Sequence, residues 1–297
     1  MVDTFSSIPI VDFRRLQDPL TKAEALEQLR EAIFQVGFLY LINHGLESLV
    51  KGTHEKLPEL FALPTEVKER CNMINSPAFV GYTRLGAETT ASKTDLRESK
   101  AIRLRMSLPA PDNLRVIQGQ NGPPEVHQVS PAAPGSQGVG PHKDSTGLFT
   151  FLSQDDTGGL QVLNKNGEWI DAPPIEGSLV VNIQQGFEAI TGGICTATTH
   201  RVIAPTTKTR YSIPFFLGVR MDLTLDQLRE SAAHIVKCIP ASDDRKKRAV
   251  DVPSEFLSPL YSCFGEAYLR NRIISHPDVG QKWYPELYER YTKEKLT

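Results

Sequence analysis

Cysteine is scarce in this 297-residue chain, and its four positions, Cys71, Cys195, Cys238 and Cys263, are scattered. No C-x-x-C pair occurs. That argues against a zinc site and against a disulfide framework, and leads us to expect a reducing, cytoplasmic compartment. Charge of neither sign dominates: 33 Lys and Arg stand against 35 Asp and Glu, a formal net charge of −2. This balance gives no reason to expect nucleic acid or a phospholipid surface as a partner. No apolar run approaches the ~20 residues of a membrane span. The N-terminus lacks a basic region followed by an apolar run, so no signal peptide is expected. No internal repeat is found. One stretch, Met106–Gly138, is short of apolar residues in any period and rich in Pro and Gly, and reads as coil.

What is present suits a globular chain: 40% of residues are hydrophobic and 23% charged, enough for one jelly-roll-sized domain with added helices. Ile8–Phe13 reads as a short strand and Thr21–Val36 as an amphipathic helix that Gly37 can end. Phe38–Ile42 reads as a buried strand, followed by helices at Leu46–Phe61 and Pro64–Cys71. Gly81–Thr90 reads as an irregular, Gly-bounded segment. Short β-like runs follow at Leu148–Ser153, Gly159–Leu163, Gly167–Ile170 and Ser178–Ile183, separated by turns. That is the pattern of an antiparallel sandwich or jelly roll. Val219–Ala232 and Pro253–Arg272 read as helices around a solvated polar loop, Ala241–Arg248.

The chemistry-bearing residues sit in and around these runs. His142 and Asp144 lie one residue apart at a strand-like position, and His200 follows at a distance. Two imidazoles and a carboxylate with open positions are the ligand set of non-heme Fe(II) oxygenases. Taken singly, each has a plainer role: a turn or core His, a capping Asp. His44 follows a strand and His276 precedes a Pro, so both read as turn residues. Asn182 and Gln184 are either groups that steady a ligand or ordinary strand-end polar residues.

The runs GVGPHKDSTGLFTFL, TGGLQVLNKNGEWIDAPPIEGSLVVNI, TATTHRV and RYSIPFF resemble the Fe(II)/2-oxoglutarate-dependent dioxygenases of the isopenicillin N synthase-like class. GFLYLINHGL and LFALPTEVKER near the start, and FGEAYLRNRIISHPDV near the end, resemble the same class. The resemblance implies an α+β fold with a mainly β core: a double-stranded β-helix (jelly roll) flanked by N- and C-terminal helices. It implies Fe(2+) on His142, Asp144 and His200, with 2-oxoglutarate and O2 as cosubstrates. Arg210 and Ser212 then grip the far carboxylate of 2-oxoglutarate, since residues two apart share a strand face and Arg offers a planar charged fork. It also implies a small organic substrate undergoing hydroxylation, desaturation or ring chemistry, in secondary metabolism. Val180, Val181 and Phe215 are candidates for the dry lining, and Tyr82 is either a wall of the substrate mouth or a residue packed on the core.

The resemblance divides the chain into residues 1–105 (N-terminal region), 106–137 (irregular, shortened), 138–220 (jelly-roll core) and 221–297 (C-terminal helices). Relatives carry a long helix and then a strand with a Tyr where 106–137 stands. Here four Pro fall between Pro123 and Ser136, so both helix and strand are expected to be missing. The expected consequences are an exposed sheet edge near the iron and low activity. Two alternatives therefore stand beside the oxygenase: an oxidase that does not use 2-oxoglutarate, and an impaired or non-catalytic relative.

Overall fold

Strands with one apolar face build two sheets that close on each other, and the chain reaches them through a helical N-terminal layer. The computed structural model describes residues 4–90, 93–101, 125–145, 147–237 and 261–293. The N-terminal layer runs β1 (Ile10–Asp12), α1 (Phe13–Gln17), α2 (Lys22–Glu31), β2 (Phe38–Ile42), α3 (Glu47–His54), α4 (Leu57–Phe61) and α5 (Thr65–Glu69). Helix α2 continues as a π-helical turn, Ala32–Val36, and Gly37 ends it in the left-handed region with φ 72°. A Cβ on Gly37 would lie 2.6 Å from Thr198 Oγ1 and 2.8 Å from the Thr196 carbonyl. Glycine is required there on both counts.

The strands that follow are β3 (Gly81–Thr83), β4 (Thr89–Thr90), β5 (Lys93–Thr94), β6 (Arg97–Ala101), β7 (Glu125–Val129), β8 (Gln137–His142), β9 (Gly147–Gln154), β10 (Leu160–Leu163), β11 (Trp169–Asp171) and β12 (Leu179–Ile183). Then come α6 (Gln185–Ile190), β13 (His200–Ile203), β14 (Arg210–Gly218), α7 (Leu225–Val236), α8 (Phe264–Ser275), α9 (Pro277–Trp283) and α10 (Pro285–Lys293). The large sheet has the order β1-β2-β12-β9-β14-β7-β6-β3, and the small sheet the order β11-β10-β13-β8. All pairings are antiparallel except β1 with β2. Phe38, Tyr40 and Val180 of the large sheet pack on Val139, Leu160, Val162 and Val202 of the small one. This is the jelly roll the sequence implies, with helices on its outer faces. A second core joins Phe79 and Met221 to Phe264, Tyr268, Leu269 and Ile273 of α8.

The structure corrects three expectations. First, the segment read as coil up to Gly138 contains β7, an interior strand bonded to β14 on one side and β6 on the other. Its prolines flank the strand and none interrupts it. The hydrophobic period is hidden because Glu125 and His127 face a cavity, whereas Val126 packs outward on Leu57 and Phe61. The open edge expected before the H-x-D turn is therefore filled at this point. The helix expected to be missing falls in 102–124, outside the described residues.

Second, the irregular segment after Gly81 begins with β3, which pairs with β6. Tyr82 is buried there, with Lys68 Nζ 5.4 Å from its ring centre. Burial, and then its hydroxyl bond to the Glu98 side chain, push its pKa upward. Tyr82 packs on the core and lines neither cavity described below. Third, the helix expected at Val219–Ala232 starts later, at Leu225. The described part of the Pro253–Arg272 helix is α8, which runs on to Ser275. The polar run Ala241–Arg248 lies outside the described residues. Among the described residues no helix is long and apolar enough to cross a membrane.

Candidate active site

Strands β8 and β13 are neighbours, and their register sets His142 opposite His200. The two imidazole centres are 4.3 Å apart. Asp144 follows in the turn out of β8. Its Oδ1 lies 3.4 Å from His142 Nε2 and 3.6 Å from His200 Nε2. One donor atom from each of the three residues falls within 4.8 Å of the others, and no other such His, Cys, Asp and Glu group occurs among the described residues.

The side-chain partners explain why these atoms point at one another. His142 Nδ1 bonds the Gly140 carbonyl at 2.8 Å, and His200 Nδ1 bonds the Thr198 carbonyl at 3.1 Å. A ring that donates through Nδ1–H carries its lone pair on Nε2, the atom aimed at the centre. Asp144 Oδ2 accepts from Asn182 Nδ2 at 2.8 Å and from the Thr150 hydroxyl, which leaves Oδ1 for the centre. Gln184 Nε2 donates to Thr150 Oγ1 at 3.0 Å and holds that hydroxyl in place. Asn182 and Thr150 thus hold the Asp144 carboxylate directly, and Gln184 reaches it only through the Thr150 hydroxyl.

Electrostatics agree with a metal-binding role. Burial alone would raise the Asp144 pKa, but His200, His142 and the Asn182 amide hold it well below the usual carboxylate range. Burial and then His142 push His200 down to about 4. Burial opposes protonation of His142, yet its Asp144 partner holds its pKa above the usual value. A neutral His200, an ionised Asp144 and a His142 that gives up its proton to the metal, with Nε2 and Oδ1 convergent, fit a divalent first-row ion.

Arg210 opens β14 and is 2% exposed. Its Nη1 donates to Ser212 Oγ at 2.8 Å, its Nε to the Gly158 carbonyl at 2.9 Å and its Nη2 to Gln154 Oε1 at 3.2 Å. Burial pushes its pKa down to about 10. Arg210, Ser212 and the triad line one cavity of about 70 Å³, with Phe38, Leu152, Leu160, Pro214 and Phe216. Alternation along β14 turns 210, 212, 214 and 216 inward, so Phe215 is partly exposed and Phe216 takes the lining place expected of it. Val180 and Val181 line neither cavity: Val180 lies in the intersheet core and Val181 on the opposite face of β12.

Two further residues of this cavity escaped the reading of the sequence. His127 sits opposite Ser212 in the β7–β14 register, and Arg97 reaches in from β6. A larger chamber, of about 350 Å³, shares Arg97, Val139, His142, Asp144 and Phe216 with the first. Its other walls include Glu88, Glu125, Lys143, Arg272 and His276. His276 is thus a wall of the chamber as well as a residue between two helices. His44 makes the turn bond expected of it, accepting from the Leu46 amide at 3.1 Å.

Residues 8–125 match the family described as non-haem dioxygenase in morphine synthesis N-terminal, and residues 115–219 match the 2OG-Fe(II) oxygenase superfamily. The chain is 35% identical to the 2-oxoglutarate-dependent dioxygenase frbJ of Dothideomycetidae sp. (strain 11243), over 98% of this chain and 96% of that protein. The chain belongs to the 2OG-Fe(II) oxygenase superfamily. It is a 2-oxoglutarate-dependent dioxygenase, and its cofactors are Fe(II) and 2-oxoglutarate. Homoarginine-6-hydroxylase 2-ODD-C23.1 of Arabidopsis thaliana is 29% identical over 77% of this oxygenase and 89% of the plant protein. The crystal structure of a 2OG-Fe(II) oxygenase family protein from Caulobacter crescentus shares the fold with a TM-score of 0.66 and 21% identity, over 90% of this chain and 98% of the bacterial one. The frbJ alignment runs over 355 positions, more than the 297 residues of this oxygenase, so frbJ carries segments that this chain lacks.

Proposed function

We propose that His142, Asp144 and His200 hold Fe(II), that Arg210 and Ser212 hold the far carboxylate of 2-oxoglutarate, and that a small molecule in the larger chamber is oxidised at a C–H bond. The observation that carries this reading is the state of Arg210. It is a buried guanidinium in the same cavity as the triad, and no carboxylate lies within ion-pair distance of it among the described residues. An unpaired buried charge is costly, so such a site favours an anionic guest. Its planar fork suits a carboxylate in two-point contact. When bound, iron with 2-oxoglutarate and O2 supplies oxidative decarboxylation to succinate and CO2 together with oxidation of the substrate.

The chain's own residues do the rest. Gly140 and Thr198 fix the two imidazoles, Asn182 and Thr150 fix the carboxylate, and Phe38, Leu160 and Phe216 keep water from the cavity. The name of the Arabidopsis relative adds support for a small organic substrate. With this reading goes a division into a catalytic core at 138–220, an N-terminal support at 1–105 and a C-terminal support at 221–297, with β7 completing the sheet between them. The similarity to frbJ, a 2-oxoglutarate-dependent dioxygenase, favours this reading over the alternative without 2-oxoglutarate. The impaired alternative loses one part of its support, since the strand it counted missing is present.

The test is anaerobic titration of Fe(II)-loaded protein with 2-oxoglutarate, followed through the weak visible charge-transfer band of the chelate. Arg210→Ala should weaken 2-oxoglutarate binding by about 2–5 kcal/mol, the range for losing one partner of a buried charged contact. Arg210→Lys should restore only part of it, because a point charge does not reproduce the fork. A 2-oxoglutarate dependence unchanged in Arg210→Ala would remove this role.

A further inference from the structure

We propose that the substrate of this oxygenase is a small zwitterion of the amino-acid class, its ammonium held by Glu88 and His276 and its carboxylate by Arg97 and Arg272. This rests on the reading of the triad as the iron site and identifies what the chamber beside it receives.

The chamber wall is ionic and bipolar. Glu88 is paired with Arg97 and accepts from Ser99 Oγ at 2.7 Å. Arg272 Nη2 lies 3.5 Å from Glu125 Oε1. Two guanidiniums, Lys143 and two carboxylates therefore face one space of about 350 Å³ that His142 and Asp144 also line. The pairs are incompletely satisfied. The Nε atoms of Arg97 and Arg272, and His276 Nε2, are buried without a hydrogen-bond partner. Buried polar groups are seldom left in that state, and one that is calls for an explanation.

His276 gives the ammonium end its direction. Ser275 Oγ donates to the Arg272 carbonyl at 3.3 Å and stands 2.9 Å from His276 Nδ1. In the tautomer that donates through Nδ1–H to this hydroxyl, Nε2 carries the lone pair and meets an ammonium as an acceptor. Burial, and then Arg272, push the His276 pKa down to about 3, which keeps the ring neutral. Nε2 lies 3.6 Å from Glu88 Oε1, so an acceptor and a carboxylate stand side by side, as an ammonium group requires. Arg97 lines both the chamber and the cosubstrate cavity, so a carboxylate on it sits at their junction.

The size of the chamber is in the small-ligand range. A hydrocarbon guest would strip water from this charged wall and return nothing. A purely anionic guest would meet Glu88 and Glu125. A guest with both signs satisfies both halves of the wall, the complementarity that selects one partner over another.

The experiment uses the full chain loaded anaerobically with Fe(II) and 2-oxoglutarate. Failure of the charge-transfer band to form would overturn the iron-site reading itself. With the band present, the twenty common L-amino acids are titrated, each against its N-acetyl and its carboxamide form, with band perturbation and saturation-transfer NMR as readouts. The expected result is binding by a subset of the free amino acids, weakened at least tenfold by either block. Binding by none of the twenty, or equal binding by a blocked form, overturns the proposal. Glu88→Gln and Arg272→Gln change residues that line only the chamber, so each should lose at least tenfold in amino-acid binding with the 2-oxoglutarate band kept. Unchanged amino-acid binding in both, or loss of the band together with binding, overturns the assignment.

Discussion

Asp144 divides its two oxygens between two duties, and the division depends on neighbours that touch no metal. Oδ2 is occupied by Asn182 and Thr150, and Oδ1 is turned to the two imidazoles. Asn182→Ala removes one of the two donors and lets the carboxylate rotate. Fe(II) or Co(II) affinity should fall about 10–100-fold, the usual cost of losing a ligand's supporting bond. Metal titration of the two proteins compares them, and equal affinities would refute the role. His142, Asp144, His200 and Arg210 were legible in the sequence through their order and the strand-like runs around them. Thr150 and Asn182 were harder to read, because Thr and Asn are ordinary strand residues until the fold sets them around one carboxylate. Arg97, Glu125 and His127 were missed for another reason: a strand whose inward face is polar does not show a hydrophobic alternation.

At the scale of elements the same point explains both a success and a failure. The two-residue period of β14 placed Arg210 and Ser212 together, and the same period sends Phe215 outward and Phe216 inward. In β7 the period is just as regular, yet its inward residues are Glu125, His127 and Val129, so the strand passed for coil. Helix boundaries depended on a single residue at Gly37, where the sequence and the structure agree. Gly37 does more than stop a helix. It brings its own chain against Thr196 and Thr198, and the Thr198 carbonyl is the one that orients His200. Gly37→Ala places a Cβ at a positive φ and against a backbone carbonyl. We expect a loss of about 1–3 kcal/mol in stability, the range for a strained backbone position. We also expect weaker metal binding, since the 196–198 segment must move. Thermal melting and metal titration measure the two effects, and a stable variant with unaltered metal affinity would contradict the coupling.

Across the whole molecule the buried histidines set how the metal-free protein responds to acid. Burial is the first cause in each case, and it pushes His127 and His200 down to about 4 and His276 to about 3, from an ordinary 6.5. His127 stays neutral beside an ionised Glu125, whose pKa burial would raise but the His127 bond, Arg272 and Arg97 hold well below the usual range. Below the unfolded value of 6.5 the unfolded chain takes up protons that the folded chain refuses. Stability is then complete above that value and falls as the pH drops toward the folded values. Each proton contributes a slope of about 1.4 kcal/mol per pH unit, so three titrating together give about 4. A domain holds only about 5–15 kcal/mol in total, so the metal-free chain should unfold between about pH 6 and pH 4. His142 has the opposite sign. Its pKa is raised, so the folded chain keeps a proton that the unfolded chain has released, and metal-free stability should also decline as pH rises through its folded value. Fe(II) requires a neutral His142 ring and should abolish that second decline. Urea unfolding from pH 8 to pH 5, with and without Co(II) as an air-stable substitute, tests both arms. His276→Asn should lower the acid slope by one proton's worth, and a metal-free stability that is flat from pH 7 to pH 5 would be incompatible with three neutral buried imidazoles.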